Sequence, residues 1–278
     1  MMHLSAILAA VVIGTWNGNW FPSGRAEHIA HPDVEAATIT AAAKMLAGGL
    51  AAVDPEGTND VVLVLNEIRG PRAASNLVAQ IGRKGLVVAS VSAYRRRDRF
   101  DQQQDVVATT LPVASKGWST WKNCKRETPP RGYAYATLVF SPAVTASVYA
   151  VHLKSNYGAT TDELRDLNCA KRACSAEQLA KSGRRSSHAI VAGDFNADPW
   201  RREFAKDTLF GILGKAGFQN VMALAPPDKR GTHPHRRYGD SCLDHIMCKG
   251  FSVVVPPRIV SNDSLSDHFA VFAVIELI

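Results

Sequence analysis

Apolar residues in this chain gather in short β-branched runs more than in long helical stripes. The runs "ILAAVVIGTWN", "VVLVLNE", "LVVASVS", "DVVATTLPV", "YAYATLVF", "ASVYAVHL", "HAIVAGDF", "CLDHIMC", "FSVVV" and "HFAVFAVIEL" are each bounded by Gly, Pro, Asn, Asp or Ser, as strands closed by turns are. Four stretches carry helical periodicity instead: 34–46 closed by Gly48 and Gly49, 73–81 closed by Gly82, 162–181 closed by Gly183, and 203–213 closed by Gly214. Ten strands with four helices are too many strands for one open sheet of simple βαβ units. An α/β fold with two sheets packed face to face and helices outside is the economical solution. Several strands are apolar on nearly every residue, as expected where one face meets a sheet and the other a helix. No repeat, low-complexity tract or linker interrupts residues 1–278, which are expected to form one domain.

Polar residues collect where these runs stop. The first strand ends on Asn17 and the second on Glu67. "SVYAVHLKSN" stops on His152, Lys154, Ser155 and Asn156, and "IVAGDFNADP" on Asp194 and Asn196. "SCLDHIMC" holds Asp244, and "SLSDHFAVF" holds Asp267 and His268. Arg131 opens the strand before "ASVYAVHL" and can reach the same edge, whereas Tyr133 and Tyr135 alternate along it as packing residues. An Asn or Asp at a strand end is an ordinary turn former. Six segments ending this way, in this order, form a pattern.

That pattern resembles the endonuclease/exonuclease/phosphatase superfamily of metal-dependent phosphoesterases. The resemblance runs from Trp16 to His268, is most specific at "GDFN" and "SDH", and is supported by "TWN" ahead of an acidic strand end. It implies a four-layer α/β/β/α sandwich, in agreement with the strand count. It also implies that Asn17 and Glu67 hold a hard cation, Mg²⁺ with Mn²⁺ as a substitute. Asp194 is expected to orient or deprotonate the attacking water, with Asn196 holding its geometry and touching a phosphate oxygen. His268, oriented and kept cationic by Asp244, is expected on a non-bridging phosphate oxygen. Asp267 points the other way from His268 on an extended backbone and is a further candidate for the metal or for Asp194.

At His152 the abasic-site endonuclease branch has tyrosine, whereas deoxyribonuclease-like and sphingomyelinase-like members carry histidine followed by leucine, as here. His152 would then contact the phosphate or protonate the leaving oxygen. Lys154 and Asn156 share its side of an extended backbone and, with Arg131, are candidates for binding phosphate or sugar. The inositol polyphosphate 5-phosphatase branch has arginine where this chain has His245, which counts against that substrate. The segment "KRGTHPHRRYGDSCLD" is basic and histidine-rich where abasic-site enzymes carry an aromatic wedge.

Charge and cysteine content add less. The 32 Lys and Arg exceed the 25 Asp and Glu, for a formal charge of +7, which favours polyanionic partners. The clusters "AYRRRDRF", "KNCKRE", "KSGRR" and "HPHRRYG" would suit a phosphate backbone if they face the site. Trp16, Trp20, Phe21, Trp118 and Trp121 include loop aromatics that can stack bases or meet lipid. The leading expectation is a Mg²⁺-dependent phosphodiesterase acting on nucleic acid with low sequence specificity, working as a monomer. The alternatives are a phospholipid or small-molecule phosphoesterase, and a non-catalytic phosphate-binding module on the same fold.

Five cysteines without C-x-x-C spacing give no cysteine-based zinc site. Cys242 and Cys248 share an expected strand and are about 20 Å apart, and Cys169 and Cys174 can pair only if their backbone is a loop. The N-terminus has an apolar run without a basic n-region, so a cytoplasmic location is the default, with export the minority alternative. No apolar run approaches the roughly 20 residues of a membrane span.

Overall fold

A computed structural model of the chain describes residues 10–23, 32–96, 99–100, 103–124, 127–235, 239–261 and 265–278. The first strand and helix are β1 (Ala10–Phe21) and α1 (Pro32–Val53), followed by β2 (Asp60–Ile68), α2 (Pro71–Gln80) and β3 (Val87–Val91). A short ribbon, β4 (Arg95–Arg96) with β5 (Arg99–Phe100), leads to β6 (Gln104–Thr109), β7 (Val113–Thr120), β8 (Gly132–Ser141) and β9 (Val144–His152). Then come α3 (Asp162–Gly183), β10 (His188–Asp194), α4 (Leu209–Lys215), β11 (Gln219–Asn220), β12 (Asp244–Lys249), β13 (Phe251–Val260) and β14 (Ala270–Leu277).

Two six-stranded mixed sheets result, ordered β13-β14-β1-β2-β6-β3 and β11-β12-β10-β9-β8-β7. Alternation along the strands sends Val11, Ile13, Val62 and Val64 of the first sheet against Ala134, Val148, Ala150 and Ile190 of the second. The opposite faces bury Trp16, Leu63 and Phe272 under α1 and α2, and Val151, Val191 and Met247 under α3 and α4. This is the expected four-layer α/β/β/α sandwich. The parallel pairs β1·β2 and β9·β10 point the same ends toward one edge, where Asn17 pairs with Asn66 and His152 with Asp194.

Several local expectations change. α1 does not stop at Gly48 and Gly49 but runs on to Val53. A Cβ on Gly49 would lie 2.1 Å from the Phe272 ring, so this glycine allows close packing on β14 and does not cap the helix. By length and composition α1 is apolar enough to cross a membrane, contrary to the reading of the apolar runs, yet its stripe of Ile39, Leu46, Leu50 and Val53 packs on the first sheet. The helix expected over 203–213 is broken into a 3-10 turn (Arg202–Phe204) and α4. The break follows from Asp207, whose carboxylate accepts both the Leu209 N–H (3.3 Å) and a buried guanidinium, Arg172 Nε, at 2.5 Å. β7 was not visible as an apolar run because it is an edge strand with mostly exposed side chains.

Cys242 and Cys248 stay unbridged as expected, but the disulfide among the described residues joins a pair that the spacing did not suggest. Cys169 and Cys174 both lie on α3, while Cys124, in the β7–β8 connection, forms a disulfide with Cys174. Cys242 precedes β12 and, like Cys248, is a buried free thiol. The Cys124–Cys174 bond closes a loop of sequence separation 50. On the chain-entropy argument the paired Cys124→Ser, Cys174→Ser variant should lose about 4 kcal/mol of stability, read as a lowered urea midpoint in equilibrium unfolding.

Candidate active site

The strand ends build the site through backbone irregularities. The β1·β2 register shifts just after Asn17, its last paired residue before the bulge, and the β2·β6 register shifts between Leu65 and Ile68, so Glu67 leaves its β6 ladder at the level where Asn17 ends its own. Glu67 has φ 57°, and Asn19, Trp20, Arg131 and Asn196 also have positive φ. All five of these non-glycine residues line one cleft of about 2020 Å³. Side-chain-bearing residues hold such backbone only where surrounding contacts enforce it, and such positions concentrate at functional sites.

Within the cleft the acids and amides interlock. Asn17 Nδ2 donates to Glu67 Oε1 (3.2 Å) and to Asp194 Oδ2 (3.0 Å), while its Oδ1 accepts from the Asn19 N–H at 2.9 Å. Asn196 holds the same carboxylate from the other side. Its backbone N–H donates to Asp194 Oδ1 (2.8 Å) and its Nδ2 to Asp194 Oδ2 (2.9 Å) and to the Leu153 carbonyl (3.2 Å). Burial raises the Asp194 carboxyl to about 7, partly offset by the His268 charge. A carboxylate poised there suits proton transfer near neutral pH.

The two imidazoles facing Asp194 differ in charge. His152 Nε2 stands 3.6 Å from both Glu67 Oε1 and Asp194 Oδ2, and its buried Nδ1 has no partner among the described residues. Burial, reinforced by Arg131 and His268, holds its pKa well below the ordinary imidazole range, so these contacts belong to a neutral ring. His268 Nδ1 lies 2.7 Å from Asp244 Oδ2, and its Nε2 lies 3.8 Å from Asp194 Oδ2. Burial would lower its pKa, but Asp244 and Asp194 overcome that and raise it to about 10. Asp244 is fixed in turn by Thr232, whose Oγ1 accepts the Asp244 N–H at 3.0 Å.

The remaining expected residues sit around this core. Arg131 Nη1 donates to Gln103 Oε1 (2.9 Å), and Gln103 Nε2 donates to Glu67 Oε2 (2.6 Å), which links the guanidinium to the acid through one amide. Lys154 and Asn156 line the cleft on the loop after β9. That loop is held from beneath by fully buried Arg172 of α3, whose Nη1 donates to the Lys154 carbonyl (2.6 Å) and to Asn156 Oδ1 (3.2 Å). Asp267 follows Ser266, whose hydroxyl donates to the Asn17 carbonyl at 2.7 Å. The Asp267 side chain is half exposed and faces His233, 3.8 Å from its Nε2.

Three inferences from the sequence change here. His245 faces away from the cleft, with Nε2 2.9 Å from the Cys242 carbonyl and its ring against Phe195 and Phe210. The ring is held by packing and does not line the cleft. The "KSGRR" cations Lys181, Arg184 and Arg185 lie at the end of α3 beside the start of β10, opposite the cleft. Among the cluster residues, Arg97, Lys125, Arg126, Arg236 and Arg237, and the side chains of Arg96 and Arg99, lie outside the described residues. Trp16, Phe21 and Trp121 are core, whereas Trp20 and Trp118 line the cleft.

The sequence reading missed a buried relay. Asn66 Oδ1 accepts the Asp194 backbone N–H at 3.1 Å across the sandwich. Its Nδ2 donates to Asp105 Oδ1 (2.7 Å), and Tyr94 donates its hydroxyl to Asp105 Oδ2 (2.9 Å). Gly193, at φ 136°, makes room for this, since a Cβ would lie 2.0 Å from the Val151 carbonyl and 2.8 Å from Asn66 Oδ1. The available signal was an amide directly before Glu67 and an acid opening an apolar run.

The endonuclease/exonuclease/phosphatase family model matches residues 14–268, which spans every strand end described above. The chain belongs to this family. Members of the endonuclease/exonuclease/phosphatase family are hydrolytic phosphoesterases, generally dependent on a divalent metal. An endonuclease/exonuclease/phosphatase family protein from Leptotrichia buccalis superposes with TM-score 0.66 at 15% identity, over 96% of this chain and 100% of that one. Sphingomyelinase C from Streptomyces griseocarneus gives TM-score 0.59 at 17% identity, covering 95% and 98%. A Neisseria 3′ phosphatase bound to product DNA hairpin gives 0.60 at 15% identity, covering 94% and 98%. At these identities the likeness concerns the fold. No curated protein sequence matches the chain.

The donor set of this family member fits a hard divalent cation. Glu67 Oε1 and Asp194 Oδ2, buried carboxylate oxygens from different sheets, lie 3.2 and 3.0 Å from the one Asn17 Nδ2, so two hard anionic oxygens face a single point. The raised His268 pKa has a direct check. Because the folded value exceeds the ordinary 6.5, the charged ring stabilises the fold fully below 6.5, and this contribution is lost as the pH rises through about 10. Nitrogen-15 NMR of the imidazoles should find His268 protonated and His152 neutral at pH 8, and Asp244→Asn should release the His268 proton at lower pH.

Proposed function

We propose that this family member is a divalent-metal-dependent phosphodiesterase that cleaves nucleic acid with low sequence specificity. The observation that carries the reading is the convergence of Glu67, His152, Asp194 and His268 at the floor of an open cleft. Its volume of about 2020 Å³ is well above the roughly 300–1,000 Å³ of small-ligand pockets, which favours an extended polymer over a small ester. Trp118, 42% exposed, and Tyr157, 89% exposed, stand at its walls as stacking surfaces for bases. The structural likeness to a Neisseria phosphatase bound to a DNA hairpin points the same way.

In this mechanism Asn17 and Glu67 would hold the cation, Mg²⁺ or Mn²⁺. When bound, the cation neutralises phosphoryl charge and stabilises the leaving oxygen. Asp194, gripped by Asn17 and Asn196, takes the proton from the attacking water. Cationic His268, oriented by Asp244, donates from Nε2 to a non-bridging oxygen as negative charge grows there. Neutral His152 donates to the phosphate or leaving oxygen from the opposite side. Arg131, Lys154 and Asn156 hold the flanking phosphate or sugar.

The test is supercoiled plasmid incubated with the protein and Mg²⁺, with EDTA and Asp194→Asn as controls. Nicked and linear forms should appear, vanish with EDTA, and fall about 10²- to 10⁴-fold in rate in the variant. Turnover of bis-p-nitrophenyl phosphate without nicking would refute the nucleic-acid substrate and transfer the site to lipid or small-molecule esters. Nicking that survives Asp194→Asn would refute the assigned base.

A further inference from the structure

The histidines of the segment "GTHPHRR" have no role in the mechanism above, yet His233 lines the cleft beside His268. The two rings meet edge to face with centroids 4.8 Å apart, and His235 stacks on His233 at 6.5 Å. Asp267 Oδ2 lies 3.8 Å from His233 Nε2. One ligand atom from each of His233, Asp267 and His268 falls within 4.8 Å of the other two.

We propose that His233, Asp267 and His268 form a site for a borderline transition-metal cation of the Zn²⁺ class, and that its occupation excludes phosphate from His268. Two imidazoles and one carboxylate suit Zn²⁺ and Co²⁺, whereas Mg²⁺ prefers all-oxygen ligands, so this site is chemically distinct from the Asn17–Glu67 position. Tetrahedral zinc with bonds of about 2.0–2.1 Å separates its ligand atoms by about 3.3 Å, so the triad must close by an ångström or so. His233 and Asp267, with side chains 23% and 53% exposed on loops, are free of the core packing that would prevent this. His268 is already arranged as metal-binding histidines are, with Nδ1 on a buried carboxylate and Nε2 facing outward.

The exclusion follows from one atom with two incompatible uses. Nδ1 is committed to Asp244, so only Nε2 faces the cleft. It can donate its N–H to a phosphate oxygen or give its lone pair to a metal, never both. This second half rests on the assignment of His268 to the phosphate, while the site itself does not.

Co²⁺ titration of the Mg²⁺-saturated protein reads the site without reference to activity. A visible absorption band of low-coordinate cobalt should saturate at one equivalent and be lost in His233→Ala and in Asp267→Asn, each verified as folded by circular dichroism. Hydrolysis of bis-p-nitrophenyl phosphate in Mg²⁺ should be inhibited by Zn²⁺ competitively with substrate. His233→Ala should keep its Mg²⁺-supported rate and need more than about tenfold more Zn²⁺. An unchanged cobalt spectrum in both variants would overturn the site. Loss of the band with unchanged zinc sensitivity would overturn the exclusion. A protein without hydrolytic activity would refute the phosphodiesterase reading and leave the cobalt titration to decide the site.

Discussion

The arrangement of the cleft depends on one hydrogen bond between the sheets, from the Asp194 backbone N–H to Asn66 Oδ1. Sandwich cores are apolar and set the spacing of their layers without fixing their register, because dispersion and burial are non-directional. A buried hydrogen bond is directional, and leaving its donor unmet costs about 1–3 kcal/mol. Asn66 lies beside Glu67 in the chain and Asp194 beside Gly193, so this bond sets how far the two acids stand apart. Asp105 and Tyr94 lock the amide from behind, and the Asn17 bridge then falls into place between the carboxylates.

Electrostatics build on that frame. His152 and His268 face the same carboxylate, yet burial keeps one ring neutral and Asp244 keeps the other charged. Two identical side chains thereby acquire different duties through their neighbours. The strained backbone at Glu67, Asn19 and Asn196 belongs to the same economy, since regular strands would carry these residues past the cleft instead of into it.

The strands and the four-layer arrangement were legible in the sequence because burial on both faces leaves uninterrupted apolar runs. β7 was not, because an exposed edge strand need not alternate, and "VASKGWST" carries no hydrophobic period. Gly49 looked like a helix stop because sequence does not distinguish a glycine that ends a helix from one that admits a phenylalanine ring. For the site, the strand-end residues could be named since their spacing along the chain mirrors a family pattern. Asn66, Asp105 and His233 could not, because each acquires meaning only from a partner far away in sequence. Cys124 and Cys174 escaped for the same reason.

Arg172 extends the argument to the cleft wall. One guanidinium, fully buried, grips the Lys154–Asn156 loop on one side and the Asp207 carboxylate before α4 on the other. Breaking such a buried pair costs about 3–5 kcal/mol, far more than thermal fluctuation supplies. The loop after β9 and the turn before α4 are therefore tied together through one side chain. A substitution at Arg172 therefore reaches two parts of the cleft wall at once, the Lys154–Asn156 loop and the turn before α4, although the residue itself lies beneath both.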